Sequence, residues 1–440
     1  MNSETFFYVR PWNLLYFNSL SKFLNFSNSI FFSDHKNCGD NNLYKTIEIN
    51  FSKNSNYFSF LNENDIKEII LRDRMLRELN LKDSKKLIST FILTIEDIFL
   101  KNDFKRVISI DVDCYVSDII SRYCVKNKIP YYGYSLSLLE NYLFLTNKGI
   151  AKISRKPSDV DLKNLKNYFE IKNIPSYMVS YKNYFNLLLK NYFRNFLKIF
   201  YFGSKLILSK NKLLHYHYFT TYYYAKKHFF NLSWVYLFSI QQSLKSISYK
   251  NKIIYIPLQF FPEHNCEYWT KKNDFISYQT SLIKLINKTP SYIKIFVKEH
   301  PAMIGKRDFD FYFNLNKFQN VVFINSKESQ KDLINKSDLC LTHNGSILLE
   351  SVYYNKKTIV LGNSPYFDKR FHFDINSFDE FSKLIKKQSI FDYSFSELDK
   401  DAFFKKYLSN LIYGNTSELS KDINDNNVKT LWNNLKKHIS

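Results

Sequence analysis

The sequence is poor in residues that break or cross-link a chain. Its 440 residues include only 8 Gly and 9 Pro, which excludes collagen-like, linker-like and low-complexity architectures. The 5 cysteines are widely spaced and form no Cys-x-x-Cys pair, so neither a disulfide framework nor a zinc knuckle is indicated. A reduced cytosolic setting is the simplest interpretation, and the length predicts two or three globular domains of about 100 to 200 residues each.

The sequence also lacks a long apolar run. Uncharged stretches such as residues 228–244 are interrupted by Asn, Ser and Gln and fall short of the ~20 apolar residues of a membrane span. The N-terminal residues carry Glu4 and no basic segment followed by an apolar core, which argues against a secretory signal. We therefore expect neither a transmembrane span nor a signal peptide.

Acidic residues are scarce relative to basic ones. The chain has 63 Lys and Arg against 41 Asp and Glu, for a net charge of +22. Such a surface favours polyanions, namely nucleic acid, anionic lipid headgroups or phosphorylated substrates. No short basic run or recognition motif singles out nucleic acid, and none is expected as a partner.

One segment concentrates this imbalance. Residues 181–230 hold nine Lys or Arg and no Asp or Glu, interleaved with Tyr, Phe and Leu. We interpret the segment as a helical linker or insertion between two domains. Two alternatives stay open for its surface, a solvated basic helix pair or a contact with an anionic membrane.

Hydrophobic patterning predicts alternating strands and helices on both sides of this segment. In the first half the predicted strands are residues 28–33, 106–110 and 129–134, and the predicted helices are residues 63–79, 85–100 and 115–126. In the second half the predicted strands are residues 252–257, 292–297, 321–324, 338–342 and 358–361, and the predicted helices are residues 278–287, 329–335, 347–354, 399–413 before Gly414, and 427–438.

This pattern predicts an α/β fold of two doubly wound Rossmann-type domains that face a cleft, with a helical linker and C-terminal helices. The predicted boundaries are an N-terminal α/β domain over residues 1–175, the basic aromatic linker over 176–250, a second α/β domain over 251–385 and C-terminal helices over 386–440.

Ligands of such sheets bind beyond the carboxyl ends of the strands, and polar residues follow several predicted strands there. One strand runs into Lys298, Glu299, His300 and Pro301, where Lys298 could supply charge and His300 hydrogen bonds to a phosphate. The loop after residues 252–257, which carries Gln259, Pro262 and Glu263, should point at the same cleft.

A second strand end suggests an anion site. Residues 338–342 run into His343, Asn344, Gly345 and Ser346 and then a helix, so a Gly-Ser turn could present backbone N–H groups to a phosphate. Glu350 lies four residues after Ser346 on the same helix face, where it could accept hydrogen bonds from ribose hydroxyls. The alternative is a capped helix with a solvent-facing Glu350.

The order of these motifs resembles the bacterial capsular polysaccharide biosynthesis proteins, which are glycosyltransferases of the two-Rossmann GT-B architecture and include transferases of 3-deoxy-manno-octulosonic acid (Kdo). The matching segments are YIPLQFFPEH (255–264), VKEHPAMIGKRDFDFY (297–312), LTHNGSILLESVYYNKKTIVLG (341–362) and, more loosely, RDRMLREL (72–79) with DVDCYVSDII (111–120). The resemblance implies a nucleotide-sugar donor in the C-terminal domain, with the Lys-Glu-His-Pro segment and the Gly-Ser turn near its phosphates and Glu350 near its ribose.

An inverting transfer needs a carboxylate that deprotonates the acceptor hydroxyl, and in a two-domain cleft the N-terminal side should supply it. Asp113 is the favoured candidate, followed by Asp111 and then Glu140. The Asp111-Val112-Asp113 triplet also spells the Asp-x-Asp pair with which other glycosyltransferases hold a metal ion, and magnesium dependence would distinguish that alternative.

Taken with the resemblance, the sequence predicts a metal-independent, inverting glycosyltransferase of capsule or surface polysaccharide synthesis without a cofactor. Its donor would be a nucleotide-sugar, with Kdo from CMP as one candidate, and its acceptor a lipid-linked or oligosaccharide chain. We expect the protein in the cytoplasm, peripherally attached to the anionic inner face of the membrane. The alternatives are a CDP-glycerol-type glycerophosphotransferase and a basic lipid-binding or nucleic-acid-binding module without catalysis.

Overall fold

The structure is a computed structural model of the 440-residue chain. It describes residues 5–24, 28–53, 55–139, 142–171, 184–229, 231–247, 251–413 and 426–439. Two β-sheets, the second parallel throughout and the first parallel except at one edge, are each covered on both faces and form two doubly wound Rossmann-type domains. This confirms the fold class predicted from the sequence.

The first domain contains the elements β1 (Thr5–Tyr8), α1 (Leu14–Phe23), β2 (Ser29–Phe32), α2 (Asn41–Lys53), α3 (Glu63–Arg72), α4 (Leu81–Leu100), β3 (Arg106–Ile110), α5 (Tyr115–Lys126), β4 (Tyr131–Leu136), β5 (Tyr142–Asn147), β6 (Ile150–Ala151) and α6 (Asp159–Ile171). The strands β2, β1, β3 and β4 lie side by side in parallel, and β5 joins β4 in the antiparallel direction. The chain order therefore reverses between β1 and β3, and that point is where an open α/β sheet leaves a crevice.

Helices connect the two sheets. They are α7 (Tyr184–Leu208), α8 (Tyr216–Phe229) and α9 (Ser233–Ile240), and α7 packs along α8. Gly203 permits a close approach of the two helices, because a Cβ at this position would lie 3.2 Å from the ring of Tyr222. Within the described part of the chain, no helix is both long enough and apolar enough to cross a membrane.

The second domain continues with β7 (Ile253–Pro257), α10 (His264–Glu267), α11 (Tyr278–Asn287), β8 (Lys294–Lys298), α12 (Phe309–Asn316), β9 (Val321–Ile324), α13 (Gln330–Lys336), β10 (Leu339–Thr342), α14 (Ile347–Tyr353), β11 (Lys357–Val360), β12 (His372–Asp374) and α15 (Phe378–Ile385). All six strands are parallel, in the order β9-β8-β7-β10-β11-β12. This is the strand order of a dinucleotide-binding sheet, and its reversal point lies between β7 and β10.

Alternating side chains explain why both faces of each sheet are covered. In the first sheet, Phe6 and Val107 are paired and point into one core, whereas their neighbours Phe7 and Ile108 point into the other. In the second sheet, the neighbours Ile254 and Tyr255 likewise point into different cores on opposite faces. Successive strand residues point to opposite faces, so a run of consecutive apolar residues indicates a strand that is buried on both sides.

The predicted helix over residues 63–79 is wrong in its second half. The structure ends α3 at Arg72, and a short 3-10 turn follows at Leu76–Glu78. The cause is Asp73, whose carboxylate accepts hydrogen bonds from the backbone N–H groups of Met75 and Leu76 and so starts a new turn. A local side-chain acceptor competes here with continuation of the helix.

The C-terminal region differs from the sequence expectation as well. The predicted helix over residues 399–413 is α16 (Glu397–Ser409), after which β13 (Leu411–Tyr413) pairs with β5 of the first sheet. The last helix, α17 (Asn426–Ile439), then packs its Leu431 and Leu435 into a core of the first domain. The end of the chain therefore returns to the first sheet, while the bounds of the four predicted segments stay a prediction.

Candidate functional site

The carboxyl ends of β7, β8 and β10 meet at the reversal point of the second sheet. Gln259, which follows β7, donates from Nε2 to the hydroxyl oxygen of Thr342 at the end of β10, at 3.0 Å. Leu258 donates its N–H to the carbonyl of Lys298 at the end of β8, at 2.9 Å. The three segments that carry the sequence motifs thus meet at one edge of the sheet, where an open α/β sheet leaves a crevice.

The turn after β10 is fixed by Asn344 and Gly345. Gly345 has φ +111°, a conformation that side chains with a Cβ rarely adopt. Asn344 is buried, donates from its side chain to the carbonyl of Asn363 and accepts the N–H of Gly345 at 2.7 Å. The N–H of Gly345 is therefore already used inside the turn, and the anion site at this turn stays a prediction.

Four polar side chains gather beside this turn: Ser346, Glu350, Lys298 and Gln330. Glu350 accepts a hydrogen bond from Gln330 Nε2 at 2.8 Å, and Ser346 hydrogen-bonds the same carboxyl group. Burial raises the pKa of Glu350, although these hydrogen bonds and Lys298 oppose the shift. Burial lowers the pKa of Lys298 to about 8, against the attraction of Glu350 and Glu328.

The geometry gives this group both an anion-binding and a hydroxyl-binding element. Lys298 is predominantly protonated at neutral pH because its pKa stays near 8, and its Nζ donates to the carbonyl of Glu328 at 2.8 Å. Lys298 is buried and Glu350 is half-buried, and the carboxyl group of Glu350 accepts hydrogen bonds beside Lys298. Such a pair can hold a phosphate and a sugar hydroxyl at neighbouring positions.

His300 follows Glu299 and caps the 3-10 turn Pro301–Met303. Its Nδ1 accepts the N–H of Ala302 at 3.2 Å, and burial lowers the pKa of the ring to about 4. A neutral imidazole that accepts at Nδ1 must carry its hydrogen on Nε2. His300 is thus prepared as a neutral hydrogen-bond donor, with Pro301 at the first position of the turn.

Glu299 points away from the crevice, into the domain core. Its carboxylate forms a two-pronged ion pair with Arg307, at 2.7 and 2.9 Å, and also accepts from Tyr312 and from the N–H of His300. Arg307 in turn donates to the carbonyl of Gln259 at 2.7 Å. This buried pair ties the backbone of two crevice loops together.

Glu263 begins the short helix α10, where its side chain is half-buried and makes no capping hydrogen bond. The same loop carries the contacts between the domains. Glu267 is fully buried and forms ion pairs with Arg74 at 2.6 Å and Arg77 at 2.9 Å. The sequence signal for this contact was the arginine-rich segment RDRMLREL, although its partner could not be read from the pattern.

Asp111 and Asp113 follow β3 and have different surroundings. The carboxylate of Asp111 accepts from Trp269 Nε1 and Thr146 Oγ1, both at 2.7 Å, and from the N–H groups of Val112 and Lys148. Both oxygens are therefore engaged, and the bond from Trp269 to Oδ2 joins the two domains. The base hypothesis for Asp111 would require the loss of several of these bonds.

Asp113 has a freer carboxylate at the reversal point of the first sheet. One oxygen, Oδ2, lies 3.7 Å from Arg10, and the other, Oδ1, is buried and has no hydrogen-bond partner. Arg10, which sequence reasoning missed, also lies 3.5 Å from Asp34 and stacks over Tyr216. The third base candidate, Glu140, lies outside the described residues.

Among the described residues, no group of three or more His, Cys, Asp or Glu side chains is arranged to hold a metal ion. The two aspartates of the Asp-x-Asp triplet face different partners, Trp269 in one case and Arg10 in the other.

Comparison with known proteins gives fold-level likenesses. No family model and no curated protein sequence matches the chain. Among solved structures, two of KpsC from Thermosulfurimonas dismutans are similar: the beta Kdo 2,7 transferase (TM-score 0.39, 11% identity, 99% of each chain) and the beta Kdo 2,4 transferase (TM-score 0.34, 11% identity, 78% of this chain and 93% of the other).

A third similar structure is UDP-GlcNAc 2-epimerase of Methanocaldococcus jannaschii in complex with UDP-GlcNAc and UDP, with a TM-score of 0.25, 11% identity, and coverage of 91% of this chain and 97% of the other. With TM-scores this low, the function of the chain has to be argued from its own residues.

Proposed function

We propose that the chain is an inverting, metal-independent glycosyltransferase of bacterial capsule or surface polysaccharide synthesis. The observation that carries the proposal is that the three motif segments, residues 255–264, 297–312 and 341–362, meet at the reversal point of a dinucleotide-type sheet. Their polar side chains suit a nucleotide-sugar, with Kdo on CMP as one candidate donor.

In this proposal the donor phosphate lies against Lys298, Ser346 and the Nε2–H of His300, and the ribose hydroxyls face Glu350. Lys298 supplies positive charge, and His300 supplies a neutral donor to the phosphate that leaves. Charge that develops on a leaving phosphate is stabilised by fixed donors of this kind, which is the role that a metal ion has in other transferases. Gln259, Glu263, Pro301, Asn344 and Gly345 shape the donor site.

Asp113 is the proposed base. Its carboxylate removes the proton from the acceptor hydroxyl, whose oxygen attacks the anomeric carbon while the bond from that carbon to the phosphate oxygen breaks. The electron pair leaves with the nucleotide. The unpartnered Oδ1 at the reversal point of the first sheet supports Asp113 over Asp111, whose oxygens are engaged.

The proposed acceptor is a lipid-linked or oligosaccharide chain at the inner face of the cytoplasmic membrane. A net charge of +22 and the basic linker without acidic residues support work beside an anionic surface.

A donor screen tests the proposal. The purified protein is incubated with CMP-Kdo, UDP-sugars and CDP-glycerol in the presence of glycolipid and oligosaccharide acceptors, and mass spectrometry follows donor consumption and product mass. We expect glycosyl transfer from one nucleotide-sugar without added metal. Exclusive use of CDP-glycerol, or consumption of no donor, would refute the proposal.

A matched pair of variants locates the donor site. Lys294 and Lys298 lie on the same strand, Lys294 at its amino end and Lys298 at the crevice. Lys298→Ala should weaken binding of the product nucleotide, measured by calorimetry, by roughly 10-fold or more. Lys294→Ala should leave it unchanged, and equal effects of the two would contradict this location.

A further inference from the structure

The solvent face of α7 carries a stripe of exposed apolar side chains. Exposed apolar side chains recur along it at helical spacing, and they are Leu189, Phe193, Phe196, Leu197, Phe200, Ile207 and Leu208. Phe193 and Phe200 are each 64% exposed, and Ile207 is 75% exposed. A soluble surface rarely keeps such a stripe uncovered, so it indicates an interaction surface.

The opposite face of α7 already has its partners. Leu188 is buried in the core of the second domain, and Tyr192 accepts a hydrogen bond from Trp234 and donates one to the carbonyl of Asn231. Phe202 contacts the rings of His217 and Tyr218 on α8. The helix is thus held to the protein on one side and presents the apolar stripe on the other.

A basic edge runs beside the apolar stripe. Lys190, Arg194 and Lys205 are exposed and lie on one flank of it, whereas Lys198 is half-buried. The whole of residues 181–230 contains no acidic side chain. Apolar side chains next to a cationic edge match the boundary between acyl chains and anionic headgroups.

We infer that α7 lies in the plane of an anionic lipid bilayer and inserts its apolar stripe below the headgroups. The helix has 25 residues, which correspond to about 37 Å along the membrane surface. The inference goes beyond the proposed function, because it makes attachment depend on apolar insertion as well as on charge and requires no catalytic activity.

Charge argues against a second copy of the chain as the occupant of this face. Two copies that met through α7 would bring two basic edges together, on molecules that each carry a net charge of +22. An anionic bilayer instead neutralises the basic edge while it covers the apolar stripe.

Vesicle sedimentation of the full chain tests the inference. The vesicles contain phosphatidylcholine with about one quarter phosphatidylglycerol, or phosphatidylcholine alone, and NaCl is set at about 0.1 or 0.5 M, where charges are screened within about 10 and 4 Å. We expect binding to anionic vesicles that decreases with salt but keeps a salt-resistant part. Lys190→Gln/Arg194→Gln/Lys205→Gln should remove the salt-sensitive part.

The decisive variant is Phe193→Gln/Phe200→Gln, which should weaken binding to anionic vesicles by roughly 10-fold or more at both salt concentrations. Its matched control is Leu100→Gln/Leu398→Gln, in which two side chains that are 81% and 83% exposed on other helices lose their apolar character. The control should bind as the unmodified protein does.

Fluorescence quenching measures how deeply α7 inserts into the bilayer. With Phe200→Trp, lipids brominated in the acyl chains should quench the new tryptophan fluorescence, whereas Leu398→Trp should not be quenched. Equal binding by Phe193→Gln/Phe200→Gln and the control, complete release by salt, or absence of quenching would overturn the inference. Ultracentrifugation without lipid would show whether the protein forms dimers. Dimers that dissociate in Phe193→Gln/Phe200→Gln would assign the apolar stripe to a second copy of the chain instead.

Discussion

The ion pair between Glu299 and Arg307 gives the sharpest test of how the crevice is built. Both side chains are fully buried, and the two nitrogens of Arg307 lie 2.7 and 2.9 Å from the two carboxylate oxygens. Removing one partner of a buried pair leaves the other charge uncompensated, which costs about 3 to 5 kcal/mol. Glu299→Gln and Arg307→Met should each lower the free energy of unfolding of the second domain by this amount.

The double variant separates the charge effect from lost packing. Glu299→Gln/Arg307→Met leaves no buried charge without a partner, so its cost should be smaller than the sum of the two single costs by about 2 kcal/mol or more. Urea unfolding followed by circular dichroism measures these values, and each single variant should shift the midpoint by roughly 1 to 2 M.

A neighbouring surface pair is the control. Lys227 and Asp308 are 3.1 Å apart and each is 40% exposed, so Asp308→Asn should cost less than about 1 kcal/mol. If Glu299→Gln destabilised the protein no more than Asp308→Asn does, or if the two single costs were additive, the assignment of Glu299 to the support of the crevice would be refuted.

Four further outcomes follow from the site. Asp113→Asn should abolish turnover and leave the melting temperature nearly unchanged, whereas Asp111→Asn should lower the melting temperature. Loss of turnover only in Asp111→Asn, with a lower melting temperature only in Asp113→Asn, would exchange their roles. His300→Ala should lower turnover by on the order of 10²-fold, and near-normal turnover in a folded variant would remove His300 from the donor site. Glu350→Gln should raise the dissociation constant of the donor by roughly 10-fold or more; a shifted pH optimum with unaltered affinity would instead indicate proton transfer. Burial lowers the pKa of His343 to about 4, so between pH 6.5 and 4 the unfolded chain binds more protons at this residue, and His343 alone should contribute a fall in the free energy of unfolding of up to about 1.4 kcal/mol per pH unit as the pH falls. Urea midpoints at pH 7 and 5 measure this, and a His343→Asn variant with an unchanged slope would contradict it.

The regular elements could be predicted because their apolar patterns are local. The bounds of β3 (Arg106–Ile110), α5 (Tyr115–Lys126), β9 (Val321–Ile324) and α11 (Tyr278–Asn287) agree with the sequence predictions to the residue. Each is a short buried apolar run or an amphipathic repeat, and its surroundings do not override that preference.

The sequence was less informative where a single side chain or a distant segment determines the local secondary structure. The Asp73 carboxylate ends α3 by binding two nearby N–H groups, a choice that the surrounding helical pattern conceals. Likewise, Leu411–Tyr413 extends a helical pattern but becomes a strand because β5 offers an open edge. Such long-range pairing has no local signature.

In the candidate site as well, local features could be predicted from the sequence and contacts between distant segments could not. Lys298, His300, Ser346 and Glu350 could be selected because each follows a predicted strand, and parallel strands bring such residues to one edge. Their roles remain predictions. The engagement of Asp111 with Trp269 could not be foreseen, because it joins residues of different domains.

The contacts between the domains connect the two halves of the proposed reaction. The loop after β7 places Gln259 at the end of β10, and the same short segment supplies Glu267 and Trp269 to the first domain. Trp269 binds the Asp111 carboxylate, two residues before the proposed base. Because this one segment contacts both the β10 terminus and the residues that follow β3, a change in that loop should alter the distance between the proposed base and the proposed donor site. The proposed transfer needs these two groups held at reacting distance, since misplacement by about 1 Å can cost on the order of 10²-fold in rate.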